Sequence, residues 1–495
     1  MLLLGIDIGT SSVKVSVVDS FLQSTIASAQ YPDNESPILA SQPGWAEQSP
    51  DMWWQQVQHA IGLCNNSGAY NPHDISAIGI AYQMHGLVVV NKDQHILRNS
   101  IIWCDSRAVD IGNKAFSDIG EKTCLSHLLN SPGNFTASKL AWVKLNEPGI
   151  YEQIDKVMLP GDFIAMKLTG EITTSVSALS EGIFYDFVNN QLSKEILSYY
   201  GFNKNLFPAI QSVFSNHGTL LRSVAEKLRL KAGIPITYKA GDQLNNALSL
   251  NVLNPGEVAA TAGTSGVIYG VSDQLTYDPQ SRVNTFAHVN YTEQQKRLGV
   301  LLCINGTGRL YNWMKNLFGP PLSYSQMNER ATKAPSGSSG LRILPFGNGT
   351  ERMLNNKPIG AHIHNIDLNL HEQSHVFRAV QEGIACAFRY GLDIMRENGM
   401  NPSVIRAGKA NLFLSDLFAE IFVNATGVPV ELYLNDGSTG AALGAGIGSG
   451  IFTSATEAFS NIQKMKVIEP SDTQFEPIYQ DWKNLLETQL EKTNQ

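Results

Sequence analysis

The chain has 495 residues, 43% hydrophobic and 16% charged, with a formal net charge of −8. A single core stops growing near ~250–300 residues, so two domains of similar size are expected and extensive disorder is excluded. The scattered charges form no basic stripe for a nucleic acid, and no run reaches the ~20 apolar residues of a membrane span.

From the N-terminus, Leu2–Ile8 reads as a strand, Gly9-Thr10-Ser11-Ser12 interrupts it, and residues 13–18 resume with alternating character. That is a hairpin with a hydroxyl-lined turn. Asp7 inside the opening apolar run and the absence of preceding basic residues argue against a signal peptide. A helix is expected over 51–64, strands over 77–82 and 100–103, a helix over 163–168, and a strand over 236–240 leading into a helical run at 244–251. Asn254-Pro255-Gly256 is a turn signal. The hairpin device then repeats: a strand at 257–262, the turn Gly263-Thr264-Ser265-Gly266, and a strand at 267–270. Helices over 374–398 and 414–426 follow. This is an α/β chain with a duplicated plan, dividing into 1–250 and 251–495, each half contributing one turn to a shared cleft. The five cysteines, Cys64, Cys104, Cys124, Cys303 and Cys386, are odd in number and widely spaced, so neither a disulfide framework nor a zinc site is indicated and a cytoplasmic chain with reduced thiols is expected.

Glycines with Thr and Ser hydroxyls in a tight turn expose backbone N–H groups suited to a polyphosphate. One such turn is more often an ordinary hairpin loop; two matched copies favour function. The chain has no GxxxxGK[ST] loop and no GxGxxG spacing, so a nucleotide must be held by other means. Asp7, just before the first turn, could serve a hydrated Mg²⁺ or close the hairpin with an Asx bond. Lys14 could complement phosphate charge or be a solvated strand residue. Asp242, at the junction of strand and helical run, could cap the helix or accept a proton in a cleft.

The array Gly5-Ile6-Asp7-Ile8-Gly9-Thr10-Ser11-Ser12-Val13-Lys14, Gln83-Met84-His85-Gly86, Trp103-Cys104-Asp105-Ser106-Arg107, Gly241-Asp242-Gln243 and Gly263-Thr264-Ser265-Gly266 resembles the FGGY carbohydrate kinases. Further matches are Gly44-Trp45-Ala46-Glu47-Gln48, Phe135-Thr136-Ala137-Ser138-Lys139-Leu140, Leu159-Pro160-Gly161-Asp162, Thr350-Glu351-Arg352 and Gly440-Ala441-Ala442-Leu443-Gly444-Ala445, so the resemblance spans nearly the whole chain.

The resemblance implies two ribonuclease H-like, actin-type domains with MgATP and a sugar in the interdomain cleft. It implies Asp242 as general base, Asp7 beside the metal, and Gly9, Thr10, Ser11, Lys14, Gly263, Thr264, Ser265, Gly308, Asn312, Gly408 and Asn411 on the nucleotide side. Met84 and His85 would hold the sugar with Trp103, Asp105, Asn246 and Asp242 as neighbours; read alone, His85 would be a structural histidine and Trp103 could be a core aromatic. Met84-His85 points to D-xylulose, with ribulose, glycerol, gluconate or a deoxy sugar as rivals and a non-catalytic nucleotide-binding sensor as the reading from another class. The implied partner is a small sugar, with neither nucleic acid nor membrane; a homodimer is compatible with it. Three departures stand out: Ala407-Gly408-Lys409-Ala410-Asn411 where the family writes a glycine-rich loop under the adenosine, Ser138 where proline is frequent, and Gly306-Thr307-Gly308 where small apolar residues are common.

Overall fold

A computed structural model describes residues 1–318, 322–434, 436–471 and 475–493. Two sheets organise it. The first joins β1 (Leu2–Ile8), β2 (Val13–Asp19), β3 (Ser24–Tyr31), β4 (Ile75–Tyr82) and β5 (Ile236–Gly241) in the order β3-β2-β1-β4-β5. The second contains β6 (Glu257–Ala262), β7 (Gly266–Ser272), β8 (Asn284–Ala287), β9 (Leu298–Ile304), β10 (Val404–Gly408), β11 (Val430–Tyr433) and β12 (Lys464–Ile468), in the order β8-β9-β7-β6-β10-β11-β12.

The segment β9-β7-β6-β10-β11 reproduces the first sheet strand for strand: an antiparallel meander of three, then two parallel strands beside the first. In both copies the hairpin turn sits at the same end of the meander. The strands read as near-continuous apolar runs because both sheet faces are covered; Leu3, Leu4, Ile6 and Ile8 of β1 are all fully buried.

The helices used below are α1 (Pro50–Asn66), α2 (Thr136–Asn146), α3 (Pro160–Thr169), α4 (Val176–Glu181), α5 (Asp242–Ser249), α6 (Thr307–Leu317), α7 (Tyr324–Ala331), α8 (Gln373–Glu397), α9 (Asp416–Thr426) and α10 (Gly437–Gly448). Local sequence sets several of their starts. Ser49 caps α1 by accepting from the Met52 N–H, with Pro50 in the first turn where its missing N–H costs nothing. Ser415 caps α9, so that helix begins at Asp416 and the expected start at 414 falls instead in a 3₁₀ turn over Asn411–Leu414. The strand expected over 100–103 shortens to Ser100–Ile101. The run expected from 244 starts two residues earlier, which makes Asp242 the first helical residue.

Helix α10 lies late in the sequence yet packs on the first sheet: Ala441, Ala442 and Ala445 share a core with Leu3, Ala77, Tyr238 and Ala240. The approach is close. A Cβ on Gly5 of β1 would lie 1.8 Å from the Ser438 carbonyl oxygen, and one on Gly79 of β4 would lie 1.9 Å from that of Ala441. Glycine on the sheet and alanine on the helix therefore permit this interface, and any larger residue would push the helix away. Among the described residues no helix is long and apolar enough to cross a membrane.

Candidate active site

The first turn is pinned from below. The Gly9 N–H donates to the Ser12 carbonyl at 3.0 Å, and Gln48 Nε2 donates to the Thr10 carbonyl at 2.8 Å. Gln83, at the end of β4, joins the same network through Gln48, its Nε2 donating to Gln48 Oε1 at 3.0 Å. Trp103 is 53% exposed, which removes it from the core, and its indole N–H donates to the Thr10 hydroxyl at 2.9 Å. It thus walls the cleft beside the turn.

The second turn is braced by the N-terminus of α6. The Gly308 N–H donates to the Gly263 carbonyl at 2.9 Å, the Arg309 N–H to the Thr264 carbonyl at 3.0 Å, and the Thr307 hydroxyl to the Gly263 carbonyl at 3.0 Å. A Cβ on Gly308 would stand 2.3 Å from that carbonyl. Gly306-Thr307-Gly308, a departure at the level of sequence, is thus the device that lets helix and turn touch.

Beyond the second turn opens a cavity of about 1030 Å³ lined by Gly263, Thr264, Gly308, Asn312 and Asn411 among others, with Glu35 of the N-terminal half on its rim. Its size suits a nucleoside triphosphate with water around it. Asn411 has φ +53, the left-handed region that asparagine tolerates better than most residues. Ser265 and Gly408 do not line the cavity; Gly408 ends β10, paired with Tyr433. Lys409, the unexpected charge, donates to Asp416 at 3.0 Å and so is neutralised at the rim.

Two carboxylates, Asp242 and Asp436, act on a third, Asp7. Asp7 is pushed up to about 7, first by burial and then by the negative charges of Asp242 and Asp436, with only Lys14 opposing. Lys14 is ion-paired with Asp436, with 40% of its side chain still exposed. Asp436 also caps α10, accepting from the Ser438 N–H at 3.0 Å and the Thr439 N–H at 3.2 Å. A Cβ on Gly437 would lie 2.1 Å from Asp7 Oδ2, so α10 must begin with glycine for Asp7 to hold its place. Sequence reasoning passed over Asp436, although Asp followed by Gly-Ser-Thr before an apolar run is a helix-start signal.

Asp242 does not cap its helix: the cap position is Gly241 and no side chain closes it. Burial raises the Asp242 carboxyl to about 6, countered by hydrogen bonds from the backbone and side chain of Gln243. The Met84 side chain packs beside it, its Cγ 2.7 Å from where a Cβ on Gly241 would stand. Asn246, one turn on, lies 3.4 Å from the Thr261 hydroxyl of β6.

His85 is held in the left-handed region at φ +61. Its Nδ1 lies 2.9 Å from the Glu181 carbonyl oxygen, an atom that only accepts, so Nδ1 carries the proton. Burial, together with the nearby Lys139 charge, lowers its pKa to about 3. The ring is therefore neutral, with Nε2 a bare acceptor. Phe135 and, from the other half, Phe286 flank it at 4.8 and 5.4 Å between centroids.

The segment entering α2 fastens the loops that carry His85 and Trp103. The Thr136 hydroxyl donates to the His85 carbonyl at 3.2 Å, Lys139 Nζ donates to the same carbonyl at 3.0 Å and to that of Ile102 at 2.9 Å, and Asn134 donates to the carbonyl of Asp105. Asp105 itself is placed otherwise than the sequence suggests. Its side chain is 0% exposed, and its two oxygens take the Ala46 N–H at 2.6 Å and the Arg107 guanidinium at 2.7–3.0 Å. It fixes the loop behind Trp103 and offers no oxygen to the cleft.

Beneath the site Glu181 is fully buried, bonded to the Tyr82 hydroxyl at 2.7 Å. Burial drives its pKa well above the ordinary carboxylate value.

The profile for the N-terminal domain of the FGGY family of carbohydrate kinases matches residues 2–249, and that for the C-terminal domain matches residues 258–449. The xylulose kinase of Escherichia coli K12 is 28% identical over 89% of this chain and 88% of its own length. Among solved structures, xylulose kinase from Rhodospirillum rubrum superimposes with a TM-score of 0.90 at 23% identity over 100% of both chains. Gluconate kinase from Lactobacillus acidophilus does so at 0.88 and 22%, covering 99% and 98%. Two profiles covering most of the chain, on a fold built of two sheets that share one strand plan, place this protein in the FGGY family of carbohydrate kinases, and it is a phosphotransferase.

Proposed function

We propose that the protein transfers the γ-phosphoryl group of ATP to the terminal hydroxyl of D-xylulose. The observation that carries this reading is Asp242: a carboxylate raised to about 6, free of any capping duty, next to the Gly241 that Met84 packs against, and near enough to Asp7 to raise its pKa. The names of the relatives with high coverage supply the choice of sugar.

Phosphoryl transfer asks the protein for in-line placement and for stabilised charge on the phosphoryl oxygens. Thr10 and Ser11 of the first turn and Thr264 and Ser265 of the second supply hydroxyls and backbone donors, and Gly263, Gly308, Asn312 and Asn411 seat the nucleoside. Met84 packs against the sugar while His85 Nε2 accepts a sugar hydroxyl. As the sugar oxygen bonds to phosphorus and the bond to the ADP oxygen breaks, the proton of the attacking hydroxyl passes to Asp242.

The repulsion among Asp7, Asp242 and Asp436 is the condition a divalent cation relieves, and Asp7 would hold it. A cation that keeps waters and phosphate oxygens as most of its ligands needs few carboxylates from the protein. Bound there, Mg²⁺ would offset charge on the phosphates.

A coupled ADP-release assay across xylulose, ribulose, glycerol, gluconate and deoxy sugars tests the reading. The highest kcat/KM is expected with xylulose. A higher value with another acceptor replaces the sugar and keeps the class, and no sugar-dependent turnover with any acceptor overturns both.

A further inference from the structure

The C-terminal half also brings a cation to the sugar side of the cleft. Arg352 begins a short 3₁₀ turn, Arg352–Leu354, and its guanidinium lies 5.8 Å from the centroid of Phe135 in the N-terminal half. One of its terminal nitrogens would be 3.6 Å from a Cβ on Gly133. Phe135 in turn meets His85 edge-on, so guanidinium, phenyl ring and imidazole form one row across the domain boundary.

That guanidinium is poorly satisfied. Among the described residues its one hydrogen bond runs from Nη1 to the Ser281 carbonyl at 3.5 Å, and no carboxylate pairs with it. Adjacent Glu351 turns its carboxylate to the Asn305 N–H at 2.8 Å instead. Arg98, Arg107, Arg282 and Arg406, also largely buried, each hold at least one carboxylate at 3.0 Å or less. Burial lowers the pKa of Arg352. A guanidinium has five N–H donors in a fixed fork, and those of Arg352 that no protein atom accepts are not sealed from solvent, so a ligand can take them.

His85 supplies an acceptor and no donor on its cleft side, whereas a ketose carbonyl oxygen only accepts. We propose that Arg352 is the C-terminal domain's contact to the acceptor sugar, donating hydrogen bonds to the sugar's oxygen atoms while Met84 and His85 hold it from the other domain. Sugar bound this way touches both domains at once and ties its own binding to closure of the cleft. This inference rests on the reading that the sugar lies at Met84 and His85.

The test compares wild type, Arg352→Met and Arg352→Lys on whichever acceptor the wild type turns over best, so a wrong sugar assignment leaves the comparison readable. Arg352→Met should lower sugar kcat/KM by about tenfold or more, with the KM for ATP changed less than about threefold, and Arg352→Lys should recover part of the loss. Calorimetric titration of the same sugar into wild type and Arg352→Met gives the comparison without turnover, and circular dichroism checks folding. A sugar kcat/KM in Arg352→Met within twofold of wild type would overturn the proposal. So would a rise in the KM for ATP equal to that for sugar, which would assign Arg352 to the nucleotide.

Discussion

Lys139 holds His85 by its backbone: the buried ammonium donates to the His85 carbonyl and, on its other side, to the Ile102 carbonyl one residue before Trp103. One side chain thereby sets the spacing of the two loops that face the sugar. Lys139→Met would remove one donor from each carbonyl, leaving them the Thr136 hydroxyl and the Asp105 N–H, at about 1 kcal/mol for each hydrogen bond lost. Scanning fluorimetry should show a clear fall in Tm, and steady-state kinetics should show KM for sugar rising several-fold more than KM for ATP.

Asp242→Asn keeps size and one carbonyl acceptor but cannot take a proton. Its kcat should fall by ~10²–10⁴ with little change in sugar affinity. In the wild type, kcat/KM should fall as pH drops below about 6, because the base must be ionised to act and burial places its pKa there. A near wild-type kcat in Asp242→Asn would return the search for the base to Asp7.

Asp7→Asn separates function from stability. The folded pKa of Asp7, about 7, lies above the ordinary value of 3.8. Between these values the folded protein binds more protons than the unfolded chain, so this residue's contribution to stability falls as pH rises through that window. Asn removes the buried charge. Tm at pH 8 should rise by a few degrees, with a smaller gain at pH 5, while kcat falls by at least ~10²-fold.

Gly437→Ala tests the closeness of α10 to Asp7. The added methyl collides with Oδ2, so kcat should fall by at least ~10-fold while the secondary structure seen by circular dichroism persists. An unchanged kcat would show that Asp7 can move without loss.

Lys409→Ala addresses the departure in the adenosine loop. Because Asp416 already neutralises Lys409, and Lys466 also reaches Asp416 at 3.2 Å, KM for ATP should change less than about threefold, as exposed ion pairs are worth little.

What could be read from the sequence was local. The strand-turn-strand device announced itself twice because alternation and hydroxyl-glycine turns are properties of neighbouring residues, and Asp242 stood out at a strand-to-helix junction. Contacts made across 422 positions left no such trace, as with the ion pair of Lys14 and Asp436. Asp105 misled for a related reason. Its motif placed it next to Trp103, but only the fold shows Arg107 and Ala46 taking both its oxygens. The Gly-Ala run of α10 carried a helix signal and no sign of the sheet it would cover.

The placement of α10 also bears on how the chain is made. The first sheet is complete in sequence at Gly241, and the helix that covers Gly5 and Gly79 begins only at Gly437. At ~5–20 residues per second the glycine-lined trough of that sheet waits roughly 10–40 seconds for its cover. The N-terminal half is thus the segment a chaperone must shield during synthesis, and a truncated chain ending before residue 437 would carry that open trough permanently.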